Sequence, residues 1–537
     1  MSARLKERLA DGLELPTADA EALTVLKAMA EAGDQDAQCL MGLAFEHGLG
    51  IQISMEDALG WYRRAADAGD GFAMERAGEI CLVLGGEDLL AVGAGYGSVD
   101  CMLELALSKE TEGTDESLKE AVRLYRLAAV AGSAEAYRFI GNLYENGKGV
   151  EQSYEKAAEH YGISAGMGFC VAQCDLGYMY ENGMGVPQSY ERAADLYRMS
   201  AESWYPRAMN LLGLLYFQGL GVDESDEEAF RLFEGAAEMG EADAINNLGL
   251  MYQNGLATEE SPEEAFRLYG EAASRGCAAA ECNLARMYRD GEVVPRSYEK
   301  AMELFKRSFG NGHPRAAFYL GLMHERGEGV EPSAEKAIEW HRRAAEGGYI
   351  DSYHKLGQLY DDGGCTEEAF RWYLRGAEAG SSLSQCDLGY MYEHGAGVEQ
   401  SYEKAVEWYR AAAEQGCSTA QCNLGLSLMS GRGVIQSYEE AFRWFMEAAE
   451  QGNSDAQYWV GSLFRDGEGV EQSYEEAVEW FGKSAEQGDP DSKFELGCLY
   501  EAGNGVPRSL EIAEKLYRES AADGNENAVN ALKRLSD

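Results

Sequence analysis

The chain has 537 residues, with 93 Asp or Glu against 46 Lys or Arg and a formal net charge of −47. Such an excess of acid opposes phosphate backbones and anionic lipid surfaces, which excludes nucleic acid as a partner and argues against a membrane surface. Hydrophobic residues make up 45% of the chain, ample for a buried core, but 64 Gly beside 9 Pro fit a helical protein only if most glycines terminate helices.

At the start, Arg4, Lys6, Glu7, Arg8 and Asp11 leave no apolar core segment, so no secretory signal is expected. Residues 1–33 read as an N-terminal helix and a leading half-unit. From residue 34 the chain repeats itself. Glycines recur at 33, 69, 132, 168, 240, 276, 312, 348, 380, 416, 452, 488 and 524, mostly 36 residues apart, and phase thirteen units over 34–524. Three departures stand out. The second unit carries an insertion at about 85–115 that includes Leu89, Leu90, Gly93, Gly95 and Gly97; Trp204 replaces one glycine; and the unit ending at Gly380 is four residues short. The insertion reads as a surface loop or short extra helix, or as a docking element.

Within a unit, a first helix carries Ala, then Leu-Gly, then an aromatic, as in Ala172, Leu176, Gly177 and Tyr180, all on one helical face. Glycine inside a helix costs about 1 kcal/mol relative to Ala, so Gly42, Gly141, Gly213 and Gly249 must admit a close neighbour. The helix ends in Gly-x-Gly-Val, as at Gly183 to Val186 and Gly395 to Val398, where a left-handed cap is expected. A Ser followed by acidic residues then opens the second helix, as in Ser153 before Glu155 and Ser437 before Glu439 and Glu440. That helix holds an Ala in every unit, from Ala58 to Ala513, four residues before an aromatic such as Tyr161, Phe233 or Tyr409. One helix pair cannot bury both faces, so the units must stack. Residues 525–537 read as a capping helix, and the terminal Leu535-Ser536-Asp537 carries no lipidation motif.

The Leu-Gly-x-x-Tyr-x-x-Gly-x-Gly-Val pattern, as in Leu176 to Val186 and Leu388 to Val398, resembles the Sel1-like repeat family, relatives of tetratricopeptide repeats. The resemblance implies an all-α fold, a right-handed α/α solenoid (superhelix) of tandem antiparallel helix pairs. It also implies a protein-protein interaction adaptor or scaffold whose concave groove is lined by first helices. Carried across by position, the groove residues are Cys174, Tyr178, Glu181, Asn210, Leu214, Phe217, Asn246, Leu250, Gln253, Phe318, Leu322, Glu325, Tyr390, Glu393, Leu426 and Tyr458. The apolar members among them point to a peptide or partner domain as the occupant. Secreted cysteine-rich members of the family pair their cysteines regularly; this sequence lacks that pattern, and their β-lactam binding is not carried over.

The Gly-x-Gly turns follow helices rather than strands, so they are not dinucleotide loops. Cys39, Cys174, Cys282, Cys386 and Cys422 share one first-helix position, best read as a small half-buried site, and Cys170 with Cys174 lacks the His that would complete a zinc motif. His324 and His341 occupy the two aromatic slots of one unit, with His354 on the groove of the next. They read as hydrogen-bonded core histidines, as a pH-sensitive weak point, or as a metal or catalytic site. No nucleophile elbow or His-Glu-x-x-His is present. The expectation is therefore a non-enzymatic chain with no catalytic, metal or cofactor-binding residues and no cofactor. A small-molecule-binding or hydrolytic enzyme on the same scaffold is the alternative. Twelve Cys without a signal imply reduced thiols in the cytoplasm, and no apolar stretch approaches the roughly 18 residues of a membrane span.

Overall fold

Start and stop signals fall where helix chemistry requires them. In the computed structural model, which describes residues 20–536, Ser153 accepts from Lys156 N, Ser189 from Arg192 N and Ser437 from Glu440 N, each opening a second helix. Gly147, Gly183 and Gly395 close first helices in the left-handed region, at φ 67°, 66° and 70°. The expected N-terminal helix lies partly outside the described residues; its visible part is the helix Ala20–Glu31.

The result is thirty helices and no strand among the described residues. The chain divides into two compact units, residues 1–271 and 272–537, each an α/α solenoid of successive contacting helices. Outside the helices over 71–98, the glycine that follows Leu in the first helix lies under the aromatic ring of its own second helix: a Cβ on Gly177 would stand 2.7 Å from the Tyr197 ring, and one on Gly425 2.6 Å from Phe445. The partner of the helical glycine is thus one ring rather than a whole crossing helix. Tyr161, Tyr197, Phe233, Tyr409, Phe445 and Tyr517 are fully buried at this position, each worth roughly 2 to 3 kcal/mol of burial. The shared second-helix Ala, from Ala58 to Ala513, is buried in every unit. A second-helix Ser ties the hairpin further, Ser164 Oγ donating to the Ala134 carbonyl (2.6 Å) and Ser200 Oγ to Cys170 (2.7 Å).

The added length near residue 85 is helical. Gly85 and Gly86, both at positive φ, break Gly71–Leu84 from Glu87–Gly95, and Val99–Glu112 then pairs with Asp115–Val130. Gly78 and Gly93 provide the close approach, since a Cβ on either would strike Ser98 or Cys101, and the Cys101 thiol donates to the Gly78 carbonyl (3.3 Å).

Candidate functional site

The first-helix face is organised by a bond that joins two residues sixteen apart. Tyr161 donates its hydroxyl to Glu145 (2.6 Å), Tyr197 to Glu181 (2.5 Å), Tyr269 to Gln253 (2.8 Å), Tyr409 to Glu393 (2.8 Å) and Tyr517 to Glu501 (2.8 Å). Burial first, and the adjacent carboxylate second, push the Tyr161, Tyr197 and Tyr409 phenols far above their usual value. Glu181, Gln253 and Glu393, expected as groove groups, therefore already hold a partner.

Where the second helix has Phe, the acceptor is gone: Phe233 faces Phe217, Phe305 has Arg289 sixteen residues before it, Phe445 has Met429 and Phe481 has Arg465. At Phe217 and Phe233 the exchange leaves an apolar opening. Leu214, Phe217 and Phe233 of one repeat, with Leu250, Met251 and Leu256 of the next, enclose a cavity of about 240 Å³ rimmed by Asn247 and Asn254. Asn247 Nδ2 donates to Asn210 Oδ1 (2.9 Å), and Asn254 Nδ2 to the Leu250 carbonyl (2.8 Å), so the rim is held in place and uncharged. The space lies below the range of about 300 to 1,000 Å³ usual for small-molecule pockets and suits a single apolar side chain.

The cavity wall stores strain. Ala257, next to Leu256, is one of two non-glycine residues at positive φ (55°) among the described residues, at a point where sister repeats carry Gly185, Gly221 or Gly397. A Cβ in that region costs about 1 to 2 kcal/mol. Ala257→Gly is expected to raise stability by about 1 kcal/mol, read as a higher urea midpoint; an unchanged or lower midpoint would mean that the turn is not strained.

Of the expected groove residues, the structure gathers Leu214, Phe217 and Leu250 into this cavity. Cys174, Asn210, Asn246 and Leu322 are corrections, since all four are buried. Cys174, Asn210 and Asn246 share one position that looks toward the following repeat, as the bond from Asn247 to Asn210 shows, while Leu322 is buried where Leu214 and Leu250 stand in their repeats. Phe318 is half-buried, its ring 5.2 Å from His341 and 5.1 Å from Tyr349. Tyr178 and Tyr390 are exposed, Tyr390 stacked on His394 at 4.1 Å. Leu426 packs on the core, Tyr458 lies 5.7 Å from Phe481, and Glu325 stands 3.9 Å from His341. Phe233, Asn247, Met251, Asn254 and Leu256 were missed; the readable signal was Phe233 with Phe217 where neighbouring repeats have Tyr with Glu or Gln.

The hydrogen-bonded reading of the core histidines fails for His341, which is fully buried with neither ring nitrogen bonded. His354 instead sits 2.9 Å from Asp387. Among the described residues no cluster of three or more His, Cys, Asp and Glu is placed to hold a metal ion, and no helix is long and apolar enough to cross a membrane.

The Sel1 repeat family matches residues 35–70, 99–133, 134–169, 170–203, 206–241, 242–277, 278–313, 314–349, 350–381, 382–417, 418–453, 454–489 and 490–525. The helices over 71–98 fall outside these matches. Among solved structures, the chain is similar to a protective antigen of uropathogenic Escherichia coli displaying an SLR fold, at 28% identity, covering 96% of this chain and 93% of that one with a TM-score of 0.43. It is also similar to a Sel1 repeat protein from Oxalobacter formigenes, at 29% identity over 58% of this chain and 94% of that one, with a TM-score of 0.43. A chain of the APC/C hetero-tetramer Cut9-Hcn1 aligns with 95% of this chain and over 98% of its own length, at 13% identity and a TM-score of 0.45.

Proposed function

Because the chain belongs to the Sel1 repeat family, with thirteen matched repeats, we propose that it is a non-catalytic adaptor that holds a protein partner by an apolar side chain seated between Phe217 and Leu250. The observation that carries this reading is the cavity itself, walled by Leu214, Phe217, Phe233 and Leu250. Its floor is apolar, its rim is two amides that carry no charge near neutral pH, and Phe217 is 39% exposed. An apolar anchor in a desolvated pocket is the usual source of interface energy. The chain's net charge of −47 favours partners with basic residues around that anchor, through faster encounter. A reducing, cytoplasmic setting goes with this reading and is checked by fractionating the source cells.

The test exploits the sister repeats. Phe217→Glu together with Phe233→Tyr recreates the Tyr197 and Glu181 arrangement, so the fold is retained while the apolar wall is lost. With a photocrosslinker at the exposed Gln218, wild-type protein is expected to capture a discrete set of proteins in its own cells, and the double variant to lose them. Equal capture by a folded double variant would sink the proposal. Ligand-dependent thermal stabilisation by small metabolites, with no protein captured, would favour the enzyme alternative.

A further inference from the structure

Every matched repeat between residues 99 and 525 runs directly into the next except at one point, where 170–203 gives way to 206–241 and residues 204 and 205 are left out. Here the sequence has Trp204. Sister repeats turn out of the second helix on glycine, as at Gly168 (φ 89°), Gly240 (φ 87°) and Gly452 (φ 89°). A Cβ on any of these would meet nothing within 4 Å, so the backbone angle, not space, selects glycine. Trp204 adopts the same turn at φ 58° and keeps its bond, N–H to the Ala201 carbonyl at 2.8 Å. A bulky residue in this region is a true outlier. It gains little from burial, because Trp204 is 67% exposed. Strain retained under an exposed aromatic points to use by something outside the fold.

Beneath the indole lies a cavity of about 420 Å³, with Met209, Leu212 and Leu232 on its floor and Arg198, Arg231 and Glu202 among its charged walls. Met209, Leu212 and Tyr216 are spaced three and four apart on the helix Pro206–Gln218, and no residue of this lining also lines the Phe217 cavity. This is therefore a different surface from the Phe217 cavity. In a chain whose acids outnumber its bases two to one, the lining carries two guanidinium groups and one carboxylate. Arg198 pairs with Asp195 and Arg231 with Glu228, both at 2.7 Å, but all four groups are well exposed, so these pairs exchange readily with an incoming acceptor. The guanidinium fork matches a carboxylate, and at physiological salt the repulsion from acids beyond about 8 Å is largely screened.

We propose that Trp204 and the cavity below it form a second docking site, which takes a partner peptide presenting an apolar side chain next to a carboxylate. The apolar group fills the space over Met209 and Leu232 against the indole, and the carboxylate lies between Arg198 and Arg231.

A phage-displayed random dodecapeptide library selected on the full chain is expected to enrich peptides with an acidic residue beside a large apolar one. The best enriched peptide, made synthetically, should bind about tenfold or more weakly to Trp204→Gly and to Trp204→Asn, whose residues suit the left-handed turn. It should also weaken when its acid is replaced by the amide, or on the double variant Arg198→Gln with Arg231→Gln. The two Trp204 variants should melt within about 2 °C of wild type, and Phe217→Glu with Phe233→Tyr should leave this binding intact, separating the two sites. Failure to enrich any peptide, enrichment of basic or purely apolar ones, or undiminished binding by both Trp204 variants would overturn the proposal. So would Trp204-dependent self-association in sedimentation, which would make a second copy the occupant.

Discussion

His341→Tyr is expected to stabilise the unit spanning 272–537 by about 2 kcal/mol at neutral pH, and by more in mild acid. His341 is fully buried, and neither of its ring nitrogens has a hydrogen-bond partner; the Glu325 Oε2 atom beside it is also unpaired. The two groups stand 3.9 Å apart and sixteen residues apart in sequence, the separation at which Tyr409 donates to Glu393. A tyrosine hydroxyl would close that gap and satisfy the carboxylate while removing two stranded nitrogens. Phe318 flanks the slot at 5.2 Å, and the comparable pair Tyr458 and Phe481, at 5.7 Å, demonstrates that two six-membered rings fit there. Burial first, with Lys355 repulsion second, lowers the His341 pKa to about 4. Between the unfolded value near 6.5 and that folded value, the unfolded chain takes the proton and the folded chain does not, so stability falls as pH falls. The loss approaches about 3 kcal/mol at pH 4. Urea midpoints from pH 7 to pH 4, with hydrogen exchange of Pro314–Arg326 and Ala334–Glu346, should show a steeper acid loss in wild type than in His341→Tyr. Parallel profiles, or an NMR titration of His341 near 6.5, would refute this.

The repeat frame was legible because its determinants are local. The serine caps, the left-handed glycines and the helical spacing of Ala172, Leu176 and Tyr180 all act within about one helix, and thirteen copies average out the exceptions. The face toward a partner was less legible because two longer-range contacts compete for the same positions. Asn210 accepts from Asn247 of the following repeat, a stacking contact that no single-helix period announces, and Cys174 is buried at the equivalent place. Glu181 and Glu393 are held by tyrosines sixteen residues onward, across a hairpin. Once that tyrosine-to-carboxylate rule is known, Phe217 with Phe233 stands out as one of four repeats where Phe breaks it, but that a cavity opens there required coordinates. The strain at Trp204 was visible only as a missing glycine; that the chain keeps the left-handed turn there, instead of abandoning it, required coordinates.

Glycine to alanine should have sharply different effects at two positions with similar backbone angles. Gly452→Ala is expected to cost about 1 to 2 kcal/mol, the strain of a Cβ at φ 89° with nothing within 4 Å of it. Gly433→Ala, at φ 69°, is expected to cost about 3 kcal/mol or more, because its Cβ would fall on the backbone of Tyr402 and lie 2.7 Å from Glu403 N. Those atoms open the second helix of the preceding repeat, Tyr402–Glu414, and backbone cannot rotate aside as a side-chain tip can. The same approach recurs where Gly469 meets Tyr438 and Gly505 meets Tyr474, so this glycine is where consecutive repeats touch main chain to main chain. Among the repeats that keep the full-length turn, two carry another residue here: Ala257 holds φ at 55°, while Val293 is not among the positive-φ residues. Solenoid stability is close to a sum of repeat terms and neighbour interfaces, so damage at Gly433 should fall on the interface. Gly433→Ala should therefore split the urea transition of the unit, with exchange protection lost first between residues 382 and 453, whereas Gly452→Ala should shift one transition without splitting it. A larger loss at Gly452 than at Gly433 would mean that backbone strain, not contact between repeats, sets the requirement for glycine.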